Sequence, residues 1–324
     1  MVKKLHACMA ALILVMGAAA WAQSAANYPS QPIKLMVPWP PGGGVDTTAR
    51  MISEPLGQKL GHPFVIDNRG GAGGNIGTEL AVRQKPDGYN LLMGSISPNA
   101  VNIHLYGKLG FDPVKDFTPI IYVSSVPNIL VVPAASPFKT AKDVIDFARA
   151  NPGKLNYGSA GVGSSQHLAA VQFMSAAKIE LTHVPYKGTS PAEVDLVSGH
   201  ISLMLDTTTC LPFIAGGKLR ALAVASKKRN PALPDVPTFD EVGLKDVYAS
   251  SWYGLMGPAG MPRPIVDKLN AEANAVLKSA DLQKRMADFG AEVGGGSPED
   301  FGNFIVSEIK RYESIVRISG AKLE

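Results

Sequence analysis

From Ile33 onward, short apolar runs alternate with stretches whose apolar residues recur every three or four positions. Ile33-Lys34-Leu35-Met36-Val37 reads as a buried strand. It runs into Pro38-Trp39-Pro40-Pro41-Gly42-Gly43-Gly44, and a helix opens near Asp46 with Ala49, Ile52, Leu56 and Leu60 on one face. Phe64-Val65-Ile66 predicts a second strand, followed by a glycine-rich turn at Gly70–Gly74, and Tyr89–Met93 a third. Ser97-Pro98 has the form of an N-cap with proline at the first helical position. Ile129–Val132 predicts the next strand, and Thr140-Ala141-Lys142-Asp143 a capping box ahead of Val144, Ile145 and Phe147. Leu155–Tyr157, His183–Pro185, Ile201–Leu205 and Ala221–Val224 read as further strands, with a helix opening at Ser164 or Ser165 after the loop Gly158–Gly163. Val266, Leu269, Ala273, Val276 and Leu277 mark a late amphipathic helix. Ser297-Pro298-Glu299-Asp300 caps another, whose inner face carries Phe301, Phe304, Ile305 and Ile309.

Alternating strands and helices predict parallel sheets covered by helices, an α/β fold. The chain has 324 residues, which two moderate sheets fill more easily than one. The pattern places a crossover between them near Val123–Val126 and a return near Ala249–Trp252, so that the C-terminal segment rejoins the first unit. No fixed-period repeat or low-complexity tract interrupts this order.

The first residues read differently. Lys3 and Lys4 precede an apolar run from Ala7 to Ala20, and Ala20-Trp21-Ala22 is a small-residue site before Gln23, the form of a secretory signal peptide cleaved after Ala22. The run is too short to span a bilayer comfortably, and Cys8 lies at its start rather than at its end, which argues against a membrane anchor and a lipoprotein signal. Cleavage would remove one of two cysteines, leaving Cys210 with no internal disulfide partner. The formal net charge is +4, and two of those charges sit on Lys3 and Lys4. No dense basic stripe remains, so nucleic acid is not an expected partner.

Three loops follow strand ends and precede helix starts: Trp39–Asp46, Ser95–Asn99 and Ser159–Ser165. In parallel α/β sheets ligands bind beyond the carboxyl ends of strands. Helix N-termini there offer unpaired N–H donors and partial positive charge, and glycine lets a ligand approach the backbone, so an anion could be held without a cationic side chain. Other chemistry has weaker support. Gly71, Gly73 and Gly77 only loosely echo a dinucleotide loop, and follow the second strand rather than the first. Ser164 and His167, three apart on one helix, with Ser165 and Asp206, suggest a secreted serine hydrolase as the alternative function, although no G-x-S-x-G elbow is present. His62, His104, His167, His183 and His200 show no metal-ligand spacing, so no metal and no cofactor is expected. Asp206 ends an apolar strand and precedes Thr207-Thr208-Thr209, where it could accept hydrogen bonds from a ligand or the opposite loop, or cap the next helix. Lys187 could pair with an anion or stay solvated.

Several blocks in order carry a resemblance. They are Val37–Asp46, Asp67–Gly77, Lys85-Pro86-Asp87-Gly88-Tyr89, Asn151–Ser164, His183–Gly188, Gly217–Ala223 and Pro234-Asp235-Val236-Pro237-Thr238. From about Tyr28 to the C-terminus the chain resembles the Bug family of extracytoplasmic solute receptors, the binding proteins of tripartite tricarboxylate transporters. The resemblance implies a two-domain periplasmic binding fold of type II-like form with a ligand cleft between domains. Residues 1–22 would be the signal peptide, 23–125 and 251–324 the first domain, and 126–250 the second. It implies a monomeric, non-enzymatic receptor that captures a small organic carboxylate in the periplasm and delivers it to transporter membrane subunits or to a sensor. The ligand-binding residues it implies are Trp39, Pro40, Gly42, Gly43, Val45 and Asp46 of the first loop, to which the strand-end loop after the third strand adds Ser95 as a candidate. Gly161, Gly163, Ser164 and Ser165 follow from the second-domain loop, and Asp206 and Thr207 from the strand end beyond it. Trp39 would supply an aromatic wall.

Overall fold

A computed structural model describes residues 27–323 of the chain. The signal-peptide reading lies outside the described residues.

The first lobe begins with β1 (Ile33–Val37), whose apolar residues are buried on both faces. Helix α1 (Gly44–Leu60) follows, with Ala49, Ile52, Leu56 and Leu60 buried as the periodicity requires, and ends at Gly61 in the left-handed conformation (φ 74°). Next come β2 (Phe64–Asn68), α2 (Asn75–Val82) and β3 (Asn90–Ser95). Ser97-Pro98 opens no ordinary α-helix. Residues Ser97–Val101 form a π turn running into the short α3 (Asn102–Leu105), and the Ser97 side chain caps nothing there. Strand β4 (Phe117–Pro127) completes this stretch.

Asn128 alone separates β4 from β5 (Ile129–Pro133), the first strand of the second lobe. That lobe continues through α4 (Ala141–Ala150), opened by the predicted Thr140–Asp143 capping box, β6 (Asn156–Ser159) and α5 (Ser165–Ala177). β7 (Thr182–Pro185), α6 (Thr189–Val197), β8 (Leu203–Asp206), α7 (Leu211–Ala215) and β9 (Leu219–Val224) follow. The chain returns to the first lobe in β10 (Ser250–Pro258), then α8 (Arg263–Leu277), α9 (Ala280–Asp288), β11 (Glu292–Gly295) and α10 (Pro298–Ser319).

The first sheet has the order β11-β4-β10-β3-β1-β2, and the second β7-β6-β8-β5-β9. Neither is purely parallel, which corrects the expectation from the alternating pattern. β1 pairs in parallel with β2 and β3, and β6 with β7 and β8. β10 is antiparallel to β3 and β4, and β5 to β8 and β9. The physical reason lies in the passage between lobes. β4 runs on into β5 through one residue, with no covering helix, so nothing imposes the parallel sense of a βαβ crossover there.

Each sheet is buried on both sides. In the first lobe, one face packs against α1 and α8 through Ile52, Leu56, Val266 and Leu269, and the other carries Trp252, Phe301 and Tyr312. In the second, Val144, Ala169 and Phe173 cover one face, and Ala192, Leu196 and Cys210 lie on the other. Where the two connections run side by side, Asn128 ties them together. Its N–H donates to Ala249 O (2.9 Å), its carbonyl accepts from Ala225 (2.8 Å), and its side-chain Nδ2 donates to Leu205 O (2.8 Å).

Candidate functional site

The two sheets aim the carboxyl ends of β1, β3, β6 and β8 at one cavity of about 60 Å³ between the lobes. Three helices open onto it. α1 contributes Gly43, Gly44 and Val45, α5 contributes Ser164, Ser165 and Gln166, and α6 contributes Gly188, Thr189 and Ser190. Gly43 and Gly188, the N-cap residues of α1 and α6, have no side chain to satisfy the first turn, so those N–H groups are left for a guest. Ser164 caps α5 by accepting the backbone N–H of His167 at 3.3 Å. No residue lining the cavity carries a formal charge. The positive potential comes from backbone dipoles.

The walls are apolar, built from Pro40, Pro41, Val45, Ile96, Ala160 and Pro191. Trp39 lies along one side, its indole Nε1–H donating to Ser95 Oγ at 3.1 Å, which fixes the ring's orientation. Tyr253, from β10, is buried with its hydroxyl facing the start of α1. A Cβ added to Gly44 would lie 2.3 Å from that oxygen, so glycine is required there. Burial pushes the Tyr253 phenol up, so it stays protonated and able to donate.

Of the residues expected from sequence, Trp39, Pro40, Gly43, Val45, Ser95, Ser164, Ser165 and Thr207 line this cavity. Gly42, Asp46, Gly161, Gly163 and Asp206 do not. Gly42 (φ 87°) instead faces Ser190 across the cleft, where a Cβ would meet Ser190 Oγ at 3.1 Å. Asp46 is turned back into its own loop. It accepts the Gly42 N–H (3.0 Å), Asn68 Nδ2 (3.0 Å) and a two-point contact from Arg50 (2.9–3.1 Å). Burial pushes its carboxyl up, but the bonds from Arg50, Gly42 and Asn68 outweigh that and hold it below the usual carboxylate range. Gly161 lines a neighbouring groove with Tyr186 and Lys187. Gly163 (φ 80°) joins the lobes: Ser97 Oγ donates to its carbonyl at 3.0 Å, and a Cβ there would lie 2.3 Å from Leu105 Cδ1. Asp206 is fully buried one layer behind the wall, accepting the Thr207 N–H at 2.8 Å.

Sequence reasoning missed the α6 end, Gln166, Ser251 and Tyr253. The run Gly188-Thr189-Ser190-Pro191 did carry a helix-start signal, a glycine followed by hydroxyl residues and proline. Tyr253 carried none, because β10 was read only as the return point of the chain.

A nucleophile–base pair does not form. His167 Nδ1 accepts the N–H of Gly163 at 3.2 Å, and its ring stacks on His183, 4.4 Å between centroids. Burial, with His183 beside it, pushes His167 down to about 3, so it is neutral and committed to the loop. The Ser164 oxygen accepts the His167 N–H as the helix cap, and its hydroxyl makes no bond to the imidazole, whose Nδ1 holds Gly163. This removes the structural basis of the serine hydrolase alternative. Gly77 also has a packing role: a Cβ there would meet Arg69 O at 2.4 Å.

Two α/β lobes, joined by adjacent extended connections and closed over a cavity ringed by helix starts, define a solute-binding receptor. The tripartite tricarboxylate transporter family receptor profile matches residues 48–321, and the chain belongs to that family. It is 36% identical to protein BugT of Bordetella pertussis over 93% of each chain. It is similar to the Rhodopseudomonas palustris structures of Rpa4515 with adipate (TM-score 0.89, 37% identity, 91% of this chain and 100% of that one) and of MatC with bound malate (TM-score 0.83, 33% identity, 89% and 100%). The family consists of receptors, not enzymes, and the hydrolase alternative finds no support among these relatives.

Proposed function

We propose that this receptor captures a small organic carboxylate in the periplasm and presents it to the membrane subunits of a tripartite tricarboxylate transporter. One observation carries the reading: the starts of α1, α5 and α6 converge on a cavity without a charged lining side chain. Such a site attracts an anion through N–H groups and aligned peptide dipoles, and its apolar walls suit a hydrocarbon body. Gly43, Gly44, Ser164, Ser165, Thr189 and Tyr253 are the proposed carboxylate donors, with Trp39 and the proline walls around the remainder. Adipate and malate in similar receptors support the ligand class.

Capture works by closure. An anion that touches both lobes favours the state in which Ser97 reaches Gly163 and Asn230 Nδ2 reaches Gly290 O (2.8 Å). The sheet change at Asn128 and the return into β10 support domain limits of 23–125 with 251–324, and 126–250. Among the described residues no helix is long and apolar enough to cross a membrane, and we take residues 1–22 as the export signal. We take the receptor as a monomer, and a sensor remains the second partner compatible with this reading.

A thermal-shift and calorimetric screen of adipate, malate, benzoate and citrate tests the assignment. A bound acid at about 100 times its Kd stabilises the fold by about 2.7 kcal/mol. Replacing Ser164 and Ser165 together with alanine should weaken that binding. A wild-type protein stabilised by no acid, or a double variant of unchanged affinity, would count against the reading.

A further inference from the structure

Behind the cavity wall lies a pair of acids that the carboxylate site does not use. Asp206, at the end of β8, is fully buried, and Glu193, on α6, is 4% exposed. The two carboxyl groups act directly on one another, and Asp206 accepts the Thr207 N–H at 2.8 Å. Even so, Asp206 Oδ2 and Glu193 Oε1 are buried and have no donor. Two ionised carboxylates offer each other only acceptors, so one can satisfy the other only if a proton lies between them.

The surroundings point the same way. Cys210, on the turn after β8, and Tyr253, on β10, face the pair, and burial pushes both of their own protons on more firmly. Asp288 of α9 stands at the rim of the adjoining groove, paired with Lys284. No cationic side chain is among the groups acting on the pair. Burial and each other's charge push Asp206 well up, and burial raises Glu193. Thr207 donates its N–H to Asp206 on one side and lines the ligand cavity on the other. Glu193 also lines an open groove, with Thr208, Leu211 and Phe213, through which a proton can reach solvent while the cavity is closed.

We infer that Glu193 and Asp206 share a proton, and that docking of an anion in the cavity draws that proton on more firmly, so ligand binding takes up protons from solution. The inference rests on the carboxylate reading of the cavity. A guest anion one side chain away from a buried negative pair disfavours its deprotonated form, and linkage requires the reciprocal effect on affinity. Affinity therefore falls as pH rises through the range in which the shared proton is lost. In this account Asp206 tunes the site through its charge state without touching ligand.

The test is calorimetry with whichever of adipate, malate or benzoate binds most tightly, between pH 7 and 9, in buffers of different ionisation enthalpy. Carboxylic acids of this kind are fully ionised above about pH 6, so any proton taken up belongs to the protein. We expect net proton uptake on binding, and an affinity that falls about tenfold per pH unit for each proton taken up. Glu193→Gln and Asp206→Asn each keep a hydrogen bond across the pair but cannot share a proton. Either should retain binding, abolish uptake and flatten the pH profile, and each serves if the other does not fold. Wild-type binding without proton exchange overturns the linkage and leaves the carboxylate reading intact. Uptake that persists in both variants also overturns the assignment. Failure of all three acids to bind overturns the carboxylate reading, and the linkage with it.

Discussion

At the residue scale, the site depends on backbone approach, and its sharpest constraints are glycines. Gly44→Ala would drive a methyl group against the Tyr253 hydroxyl at the mouth of α1. Overpacking of this kind costs about 1–3 kcal/mol, so isothermal titration with adipate should show affinity reduced by about tenfold or more, partly restored in Gly44→Ala/Tyr253→Phe. The buried histidines make a second prediction. His167 and His183 are pushed down to about 3 and about 4, chiefly by burial. The unfolded chain therefore binds protons below about pH 6.5 that the folded chain refuses, and stability falls as pH drops from there toward 4. The slope is at most about 1.4 kcal/mol per pH unit for each histidine. His183→Phe should make urea midpoints less sensitive to pH in this window, and an unchanged slope would place the acid sensitivity elsewhere. At this scale the sequence was legible where local turn chemistry decided the outcome, as at Ser164. It was not legible at Asp46, whose carboxylate is captured by Arg50 one helical turn later and by Asn68 from β2.

At the element scale, strongly periodic helices could be read directly, because burial of one face is a local property of the chain. α1, α8 and α10 present the expected residues inward, as does α4 with Val144 and Ile145, whereas its Phe147 is exposed. In α10, Phe301 is fully buried edge-on against Trp252, 5.9 Å between centroids, and Phe304 packs on the same ring. Phe301→Ala should cost about 3–5 kcal/mol in chemical denaturation, through lost burial and the cavity left behind. Phe304→Ala, removing a half-buried ring, should cost less. β4 and β10 escaped the reading despite their length. Both mix apolar residues with serine, proline and glycine, and both gain their stability from pairing with each other, 11 and 9 residues long, across more than a hundred positions of sequence. Such pairing leaves no period in either strand alone.

At the scale of the whole molecule, capture is a two-lobe event. Small-angle scattering should show a smaller radius of gyration with saturating ligand than without, and Ser97→Ala, which removes the Ser97–Gly163 contact across the lobes, should weaken binding by roughly two- to tenfold without altering either core. Identical profiles with and without a saturating acid would exclude closure. The sequence by itself determined the alternation of elements, the helix faces and the two glycine loops, because each depends on residues a few positions apart. It also carried enough ordered motifs to mark the family. Tertiary structure alone decided the mixed sheets, the third helix end at Gly188, the inward turn of Asp46 and the burial of Asp206 against Glu193. Those outcomes depend on which distant segments share a low-dielectric interior, and no local pattern encodes that proximity.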